Sequence, residues 1–270
     1  YDYTVLAGTQ GFINHKKTDR VLEVARRNLL PEVLFAEGGG GRPGDTDAPG
    51  VAGLDVKSFA SFASLSGLVP LVGVAAGYCF AGNAALLGCC DVVIATEDSN
   101  IGMAGPAMIE GGGLGKVAPT DIGPVASQRT NGVIDVVVAD EAQATSVAKQ
   151  YLGLVSSGAQ STGPAPVTAS SADPVSRSAS NRAPRAALRD VIPAQRTRVY
   201  DMRAVVNALV DDGTLLELRR DFAAGAITAL ARVHGRAVGV IANVPAHLGG
   251  AIDAEAADKF ARFMQLCDAF

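Results

Sequence analysis

Gly77-Tyr78-Cys79-Phe80-Ala81-Gly82-Asn83-Ala84-Ala85 runs through Leu86-Leu87-Gly88-Cys89-Cys90 into Asp91-Val92-Val93-Ile94-Ala95. The run Asp91 to Ala95 reads as a strand buried on both faces, and so does the apolar stretch Val69 to Ala75 upstream. Between them, small residues from about Ala81 open a short helix. A strand, a helix and a second buried strand in that order require a crossover, which predicts parallel pairing.

Outward from this unit the alternation continues. Tyr3-Thr-Val-Leu-Ala-Gly8 reads as a strand, Lys16 to Leu30 has helical spacing, and Pro31-Glu-Val-Leu-Phe-Ala36 is a further strand. A helix is expected near Val56 to Leu68. Downstream, a strand at Val133 to Val138 meets a helix capped by Asp140 and running to about Val155. These residues, 1–155, form one expected domain. Residues 156–198 read as a Ser/Pro/Ala-rich linker without apolar periodicity. A second unit, 199–270, opens with a helix over Asp201 to Val210 and a strand at Thr214 to Leu218. A hairpin follows from Ala226 to Ala242, turning at His234-Gly235.

An approximate internal repeat joins the two ends. Thr4 to Leu30 and Val238 to Phe270 both read strand, small-residue loop, helix, with Asp19-Arg20-Val-Leu-Glu-Val-Ala matching Asp258-Lys259-Phe-Ala-Arg-Phe-Met in pattern. In that register Phe270 falls where the first copy has Pro31, so the second copy is expected to be incomplete.

Of 270 residues 48% are hydrophobic and 19% charged, enough apolar surface for a real core. A net charge of −4 without a basic block argues against binding nucleic acid through its phosphates. Ser58 to Cys90 contains no charged residue, but serines, Pro70, Asn83 and glycines interrupt it, so an α/β core is expected rather than a membrane span. Cys79, Cys89, Cys90 and Cys267 lack metal or disulfide spacing, and His15, His234 and His247 have no partner spacing, so no metal is expected. The chain is read as soluble and cytoplasmic.

Three segments could carry chemistry. Glu37-Gly38-Gly39-Gly40-Gly41-Arg42-Pro43-Gly44-Asp45 lets backbone lie against a ligand, or forms a flexible turn; it lacks the Lys-Ser/Thr of a P-loop. At Ala81 and Gly82 unpaired amides at the start of a helix can hold an oxyanion, although small residues also serve close helix–sheet packing. Asn100 to Gly113, with Gly105, Pro106, Gly111 and Gly112, lines a channel or forms a structural loop. Glu110, its one carboxylate, reads as a solvated group. There is no G-x-S-x-G elbow.

Together with YTVLAGTQG and VLFAEGGGGRPGD at the front and VYDMRAVVNALVDDG and AVGVIANVPAHLGGAIDAEAADKFARFMQLCDAF at the back, these segments resemble the carboxyltransferase component of biotin-dependent acyl-CoA carboxylases, in the crotonase superfamily. The resemblance covers nearly everything outside 156–193. It implies a crotonase-like α/β fold built on a parallel-sheet spiral, followed by the start of a second such repeat. It also implies an acyl-CoA side in the first half, a biotin side in the second, and a hexamer. Ala81 and Gly82 fall on the pair whose amides hold the thioester enolate, and Gly38, Gly39, Gly40 and Gly41 near the CoA pocket; position 81 is Ala where the family often has Gly. Carboxybiotin on a separate carrier would release CO2, and its ureido anion would take the α-proton. A biotin carrier and a biotin carboxylase are implied partners, since none of the six lysines is flanked by Met and no ATP-binding loop is seen. By this reading the second half stops before the family's biotin-side glycine pair, and the fragment alone is inactive. A hydratase or isomerase would need pocket glutamates, of which Ile101 to Pro106 has none; a non-catalytic acyl-CoA-binding scaffold is the other alternative.

Overall fold

The computed structural model describes residues 1–42, 56–156, 188, 191–195 and 197–270. Most of the expected linker, and Pro43, Gly44 and Asp45 of the glycine segment, lie outside the described residues. The chain divides into two compact units, Tyr1–Ala148 and Lys149–Asp268.

In the first unit, α1 (Phe12–Asn28) leads to β1 (Glu32–Phe35), α2 (Ser58–Ala63), β2 (Leu71–Ala75), β3 (Tyr78–Phe80) and α3 (Gly82–Gly88). Next come β4 (Val92–Thr96), β5 (Asn100–Gly102), α4 (Pro106–Gly111), α5 (Val125–Gln128), β6 (Val136–Val138) and α6 (Glu141–Val155), within which the division between units falls. Strands β1-β2-β4-β6 form a parallel sheet, with Val72 beside Val92 and Ile94 beside Val136, and β3 pairs in parallel with β5. Every residue of β2 and β4 is buried, which is why neither alternates in sequence.

Two carboxylates fix strand starts from within the core. Asp91 accepts from the Leu71 amide and Asp135 from the Val93 amide, both at 2.8 Å. Helix α3 lies hard against β2, where a Cβ at Gly73 would meet Leu87 Cδ1 at 2.5 Å and Cys90 Sγ at 3.0 Å. Leu22 and Ala25 of α1, Phe62 of α2 and Leu86 and Leu87 of α3 close over this sheet. Ser58, fully buried, ties α1 to α2 by donating to Asp19 at 2.6 Å and bonding His15 Nδ1 at 3.0 Å.

Several expectations need correction. Tyr3 to Gly8 is not a strand: Asp2 accepts from the Thr4 amide and hydroxyl, and Leu6 and Ala7 are left-handed, which bends the segment into a turn ending in a 3-10 turn at Leu6–Gly8. Helix α1 starts earlier than Lys16, where the Asn14 side chain accepts from the Gly11 amide. Strands β3 and β5 and helix α4 are new, too short for periodicity to register.

The second unit holds α7 (Met202–Leu209), β7 (Leu216–Leu218), β8 (Ala226–Val233), β9 (Arg236–Asn243) and α8 (Ala254–Ala269), with an antiparallel sheet in the order β7-β8-β9. Asp201 caps α7 and Asp253 caps α8 through amides at 2.9 Å. The hairpin turns at His234 (φ 53°) and Gly235 (φ 78°), as expected, and both amides donate to Asp211. Lys259 is 1% exposed, its Nζ donating to the carbonyls of Phe222 and Ala226, both at 2.8 Å.

The repeat is visible as geometry, in a shifted register. A 3-10 turn at Leu6–Gly8 and another at Leu248–Gly250, each with a left-handed middle residue (Ala7, Gly249), precede α1 and α8 by three residues. This aligns Gly8 with Gly250, so Asp19 meets Ala261 rather than Asp258. Among the described residues a strand, β9, leads into the second turn and none leads into the first. The resulting fold is crotonase-like, mixed α/β about a parallel sheet, followed by the start of a second repeat.

Candidate functional site

The glycine segment leaves β1 and comes to rest on the junction of β3 and α3. A Cβ at Gly40 (φ 86°) would sit 2.6 Å from Ala81 Cβ and 3.1 Å from the Gly82 nitrogen; one at Gly38 would strike the Asn83 side chain at 2.4 Å. Segments more than forty residues apart thus form one cradle. Asn83, fully buried in the first turn of α3, accepts from the Gly40 amide at 3.0 Å and donates to the Glu37 carbonyl at 3.2 Å.

The amides of this cradle are not equally available. Gly38 donates to the Tyr78 carbonyl, Gly39 to that of Ala7 and Gly40 to Asn83, so these three stitch the loop in place. Ala81 donates to the Gly102 carbonyl at 2.9 Å, closing the β3–β5 pairing, and adopts φ 51°, ψ −119°, a conformation glycine takes more readily. Among the described residues, the amides of Gly41 and Gly82 donate to no protein acceptor. Gly41 is exposed and Gly82 partly so.

Gly105 packs on Phe80, with a Cβ there 3.5 Å from its ring, so the start of α4 lies beside the strand that leads into Ala81. Pro106 is the first residue of α4, where its missing amide costs nothing. Gly111 and Gly112 are at the other end of α4, exposed. There the Gly113 amide bonds the Glu110 carbonyl and the Leu114 amide that of Ile109, with Gly113 at φ 74°, which makes the glycine run a helix terminator. Glu110 is exposed and pairs with Lys116 at 3.3 Å, the solvated group expected of it.

Two residues at the cradle were given no role of their own in the sequence. Gln10 is 3% exposed, and its main chain bonds both sides of the glycine loop, its amide donating to the Gly40 carbonyl and its carbonyl accepting from Arg42. Glu37 accepts from the Ala76 amide. Burial, with Glu37 nearby, pushes the Cys79 thiol up to about 12, so this cysteine is no nucleophile. Among the described residues no group of three His, Cys, Asp or Glu side chains could hold a metal ion, and no helix is long and apolar enough to cross a membrane.

The carboxyl transferase domain matches this chain over residues 1–270. The chain belongs to the carboxyl transferase family. Among carboxyl transferase relatives, the methylmalonyl-CoA carboxyltransferase 12S subunit of Propionibacterium freudenreichii subsp. shermanii is 30% identical over all of this chain and 49% of its own length. The biotin-dependent long chain acyl-coenzyme A carboxylase beta4 subunit of Mycobacterium tuberculosis is 32% identical, over 50% of its length. This carboxyl transferase chain therefore spans about half the length of the curated relatives it matches. Among solved structures, a single-chain, multi-domain long-chain acyl-CoA carboxylase superposes with TM-score 0.85 at 56% identity, over all of this chain and 25% of that one. A transcarboxylase 12S hexamer with methylmalonyl-CoA bound gives 0.78 at 28%, over 50% of its chain.

Proposed function

We propose that this chain is the acyl-CoA side of a carboxyltransferase in a biotin-dependent acyl-CoA carboxylase, and that the Gly82 amide holds the thioester oxygen as it becomes an enolate. The carboxyl transferase match along all 270 residues carries this reading. Among the described residues Gly82 finds no acceptor for its N–H at the start of α3, beside the backbone of Gly40. A fixed donor of this kind is worth about a hundredfold to a thousandfold in rate, because it needs no reorganisation as charge develops.

Ala81 shapes this site through its carbon rather than its amide, which the Gly102 carbonyl occupies. The Gly38, Gly39 and Gly40 amides hold the loop, leaving Gly41 to face a ligand; Gly105 and Pro106 form the neighbouring wall. Carboxybiotin, carried by a separate protein or domain and charged by a biotin carboxylase, supplies the CO2 and, as the ureido anion, the base. The residues that fit a part in this exchange are those of the thioester cradle. A hexameric, cytoplasmic enzyme acting on acyl-CoA is the setting this reading implies.

The test is Gly82→Pro in the native-length active protein. Proline is compatible with the first helical position yet has no N–H. Turnover should fall about a hundredfold or more; a folded variant with full activity would overturn the role, and Gly82→Ala, which keeps the N–H but also places a Cβ 3.1 Å from Phe59 Cζ, measures the part of the loss that bulk alone causes. Malonyl-CoA decarboxylation dependent on free biotin separates this reading from a hydratase, which would instead hydrate crotonyl-CoA.

A further inference from the structure

Asn83 is the one polar side chain in α3, which is otherwise Gly, Ala and Leu, and it is fully buried. A polar group in such a place needs a partner for each of its ends. Asn83 has both: Oδ1 accepts from the Gly40 amide at 3.0 Å, and Nδ2 donates to the Glu37 carbonyl at 3.2 Å. An acceptor and a donor on one planar fork is what a carboxamide offers, whereas an ionised carboxylate has no donor and leucine has neither. The glycine loop is shaped to this side chain, since a Cβ on Gly38 would stand 2.4 Å from Nδ2.

The other main-chain bonds of the loop run elsewhere. Gly38 donates to Tyr78 and accepts from Phe80, Gly39 donates to Ala7, and the Gly40 carbonyl and Arg42 amide are bonded to Gln10. Among the described residues the hydrogen bonds that join the loop to α3 are the two made by Asn83. They also lie one residue from each open amide, because Gly41 follows Gly40 and Gly82 precedes Asn83. The spacing of those two amides is therefore set through this one side chain.

From this we infer that Asn83 is a positioning residue for carboxyl transfer: by clasping the glycine loop to α3 it fixes the Gly41 amide relative to the Gly82 amide, and so acts on turnover more than on substrate affinity. The inference rests on the acyl-CoA reading above. It also accounts for a carboxamide on a short helix whose other side chains are all apolar.

The test is carboxylation of acetyl-, propionyl- and palmitoyl-CoA by the native-length enzyme with its biotin carrier and biotin carboxylase, in the wild type, Asn83→Asp and Asn83→Leu. A carboxyl buried at this position titrates well above its ordinary value of about 4. Protonated, it accepts from Gly40 and donates to Glu37 as the carboxamide does; ionised, it meets the Glu37 carbonyl with no proton between them. The ionisable side chains on the segments packed against it are Glu37 and Arg42 at the ends of the loop and Tyr78 and Cys79 on β3, while α2, β2 and α3 bring none. These are common to the wild type, so the ratio of wild-type to variant kcat removes their titration. For Asn83→Asp that ratio should rise about tenfold between about pH 6 and about pH 9, because a small displacement of a fixed donor is costly in rate. Asn83→Leu should be about tenfold slower at every pH, with KM changing less than kcat. Urea midpoints at the same pH values keep a loss of folded protein from being counted as a loss of turnover, and if Asn83→Leu does not fold, the pH profile of Asn83→Asp decides alone. A ratio that is constant over this range, or a change confined to KM, would overturn the inference and leave the acyl-CoA reading standing. A wild type that carboxylates none of the three substrates would overturn both.

Discussion

Gly40 lies so close to Ala81 that a Cβ on the glycine would stand 2.6 Å from the Ala81 Cβ, and its φ of 86° belongs to the region L side chains avoid. Contact and conformation both exclude a side chain. Gly40→Ala should therefore lose about 2 to 4 kcal/mol, the sum of overpacking and backbone strain, measured as a lower urea midpoint with an unchanged slope. In the native-length enzyme it should also impair acyl-CoA use, because relief of the clash moves the loop away from Gly82.

Gly73 answers to a different constraint, since its φ is ordinary and only packing forbids a larger residue. Gly73→Ala should destabilise the chain by about 1 to 3 kcal/mol through the contacts with Leu87 and Cys90. Adding Leu87→Ala should cost less in the Gly73→Ala background than in the wild type, a coupling that a double-mutant cycle in urea would read.

Lys259 makes stability depend on alkaline pH. Burial lowers its pKa from 10.5 to about 8, so between those values the unfolded chain binds the extra proton. Stability contributed at this position therefore rises with pH across that window. The penalty of the buried charge is complete below about 8 and gone above 10.5, where the amine is neutral in both states. The buried thiols of Cys79 and Cys90, raised by burial, act in the opposite sense above 9. Relative to Lys259→Met, the wild type should gain stability from pH 8 to pH 10.5 in urea melts. A constant difference between the two would count against this assignment.

Asp211 serves the hairpin turn by accepting from the amides of His234 and Gly235. Asp211→Ala leaves two turn amides without that acceptor and should cost about 1 to 3 kcal/mol. Asp211→Asn, which keeps one carbonyl oxygen, should cost less, as thermal unfolding of both variants would show.

How much of this was legible depended on whether a residue's partner was near in the chain. The His234-Gly235 turn and the caps at Asp140, Asp201 and Asp253 were within reach of sequence reasoning or its rules, because each acts on amides a few residues away. Gln10 was not, since its main chain is bonded to Gly40 and Arg42, thirty and more residues on. Nor was the bend at Leu6 and Ala7, where apolar β-formers promise a strand that finds no neighbour to pair with.

The sequence by itself determined the buried strands β2 and β4, the crossover helix between them, the antiparallel hairpin and the placement of small residues where chains must meet. Apolar runs, turn residues and caps act over a single turn or strand, so their physics is written locally. Only the tertiary structure decided which amides remain open. Gly38, Gly39, Gly40 and Ala81 look as free in sequence as Gly41 and Gly82, yet the carbonyls of Tyr78, Ala7 and Gly102 and the side chain of Asn83 occupy the first four. A backbone donor carries no mark of its acceptor, because every residue but proline has the same one; which donors are left for a ligand is settled only when distant segments have taken the rest.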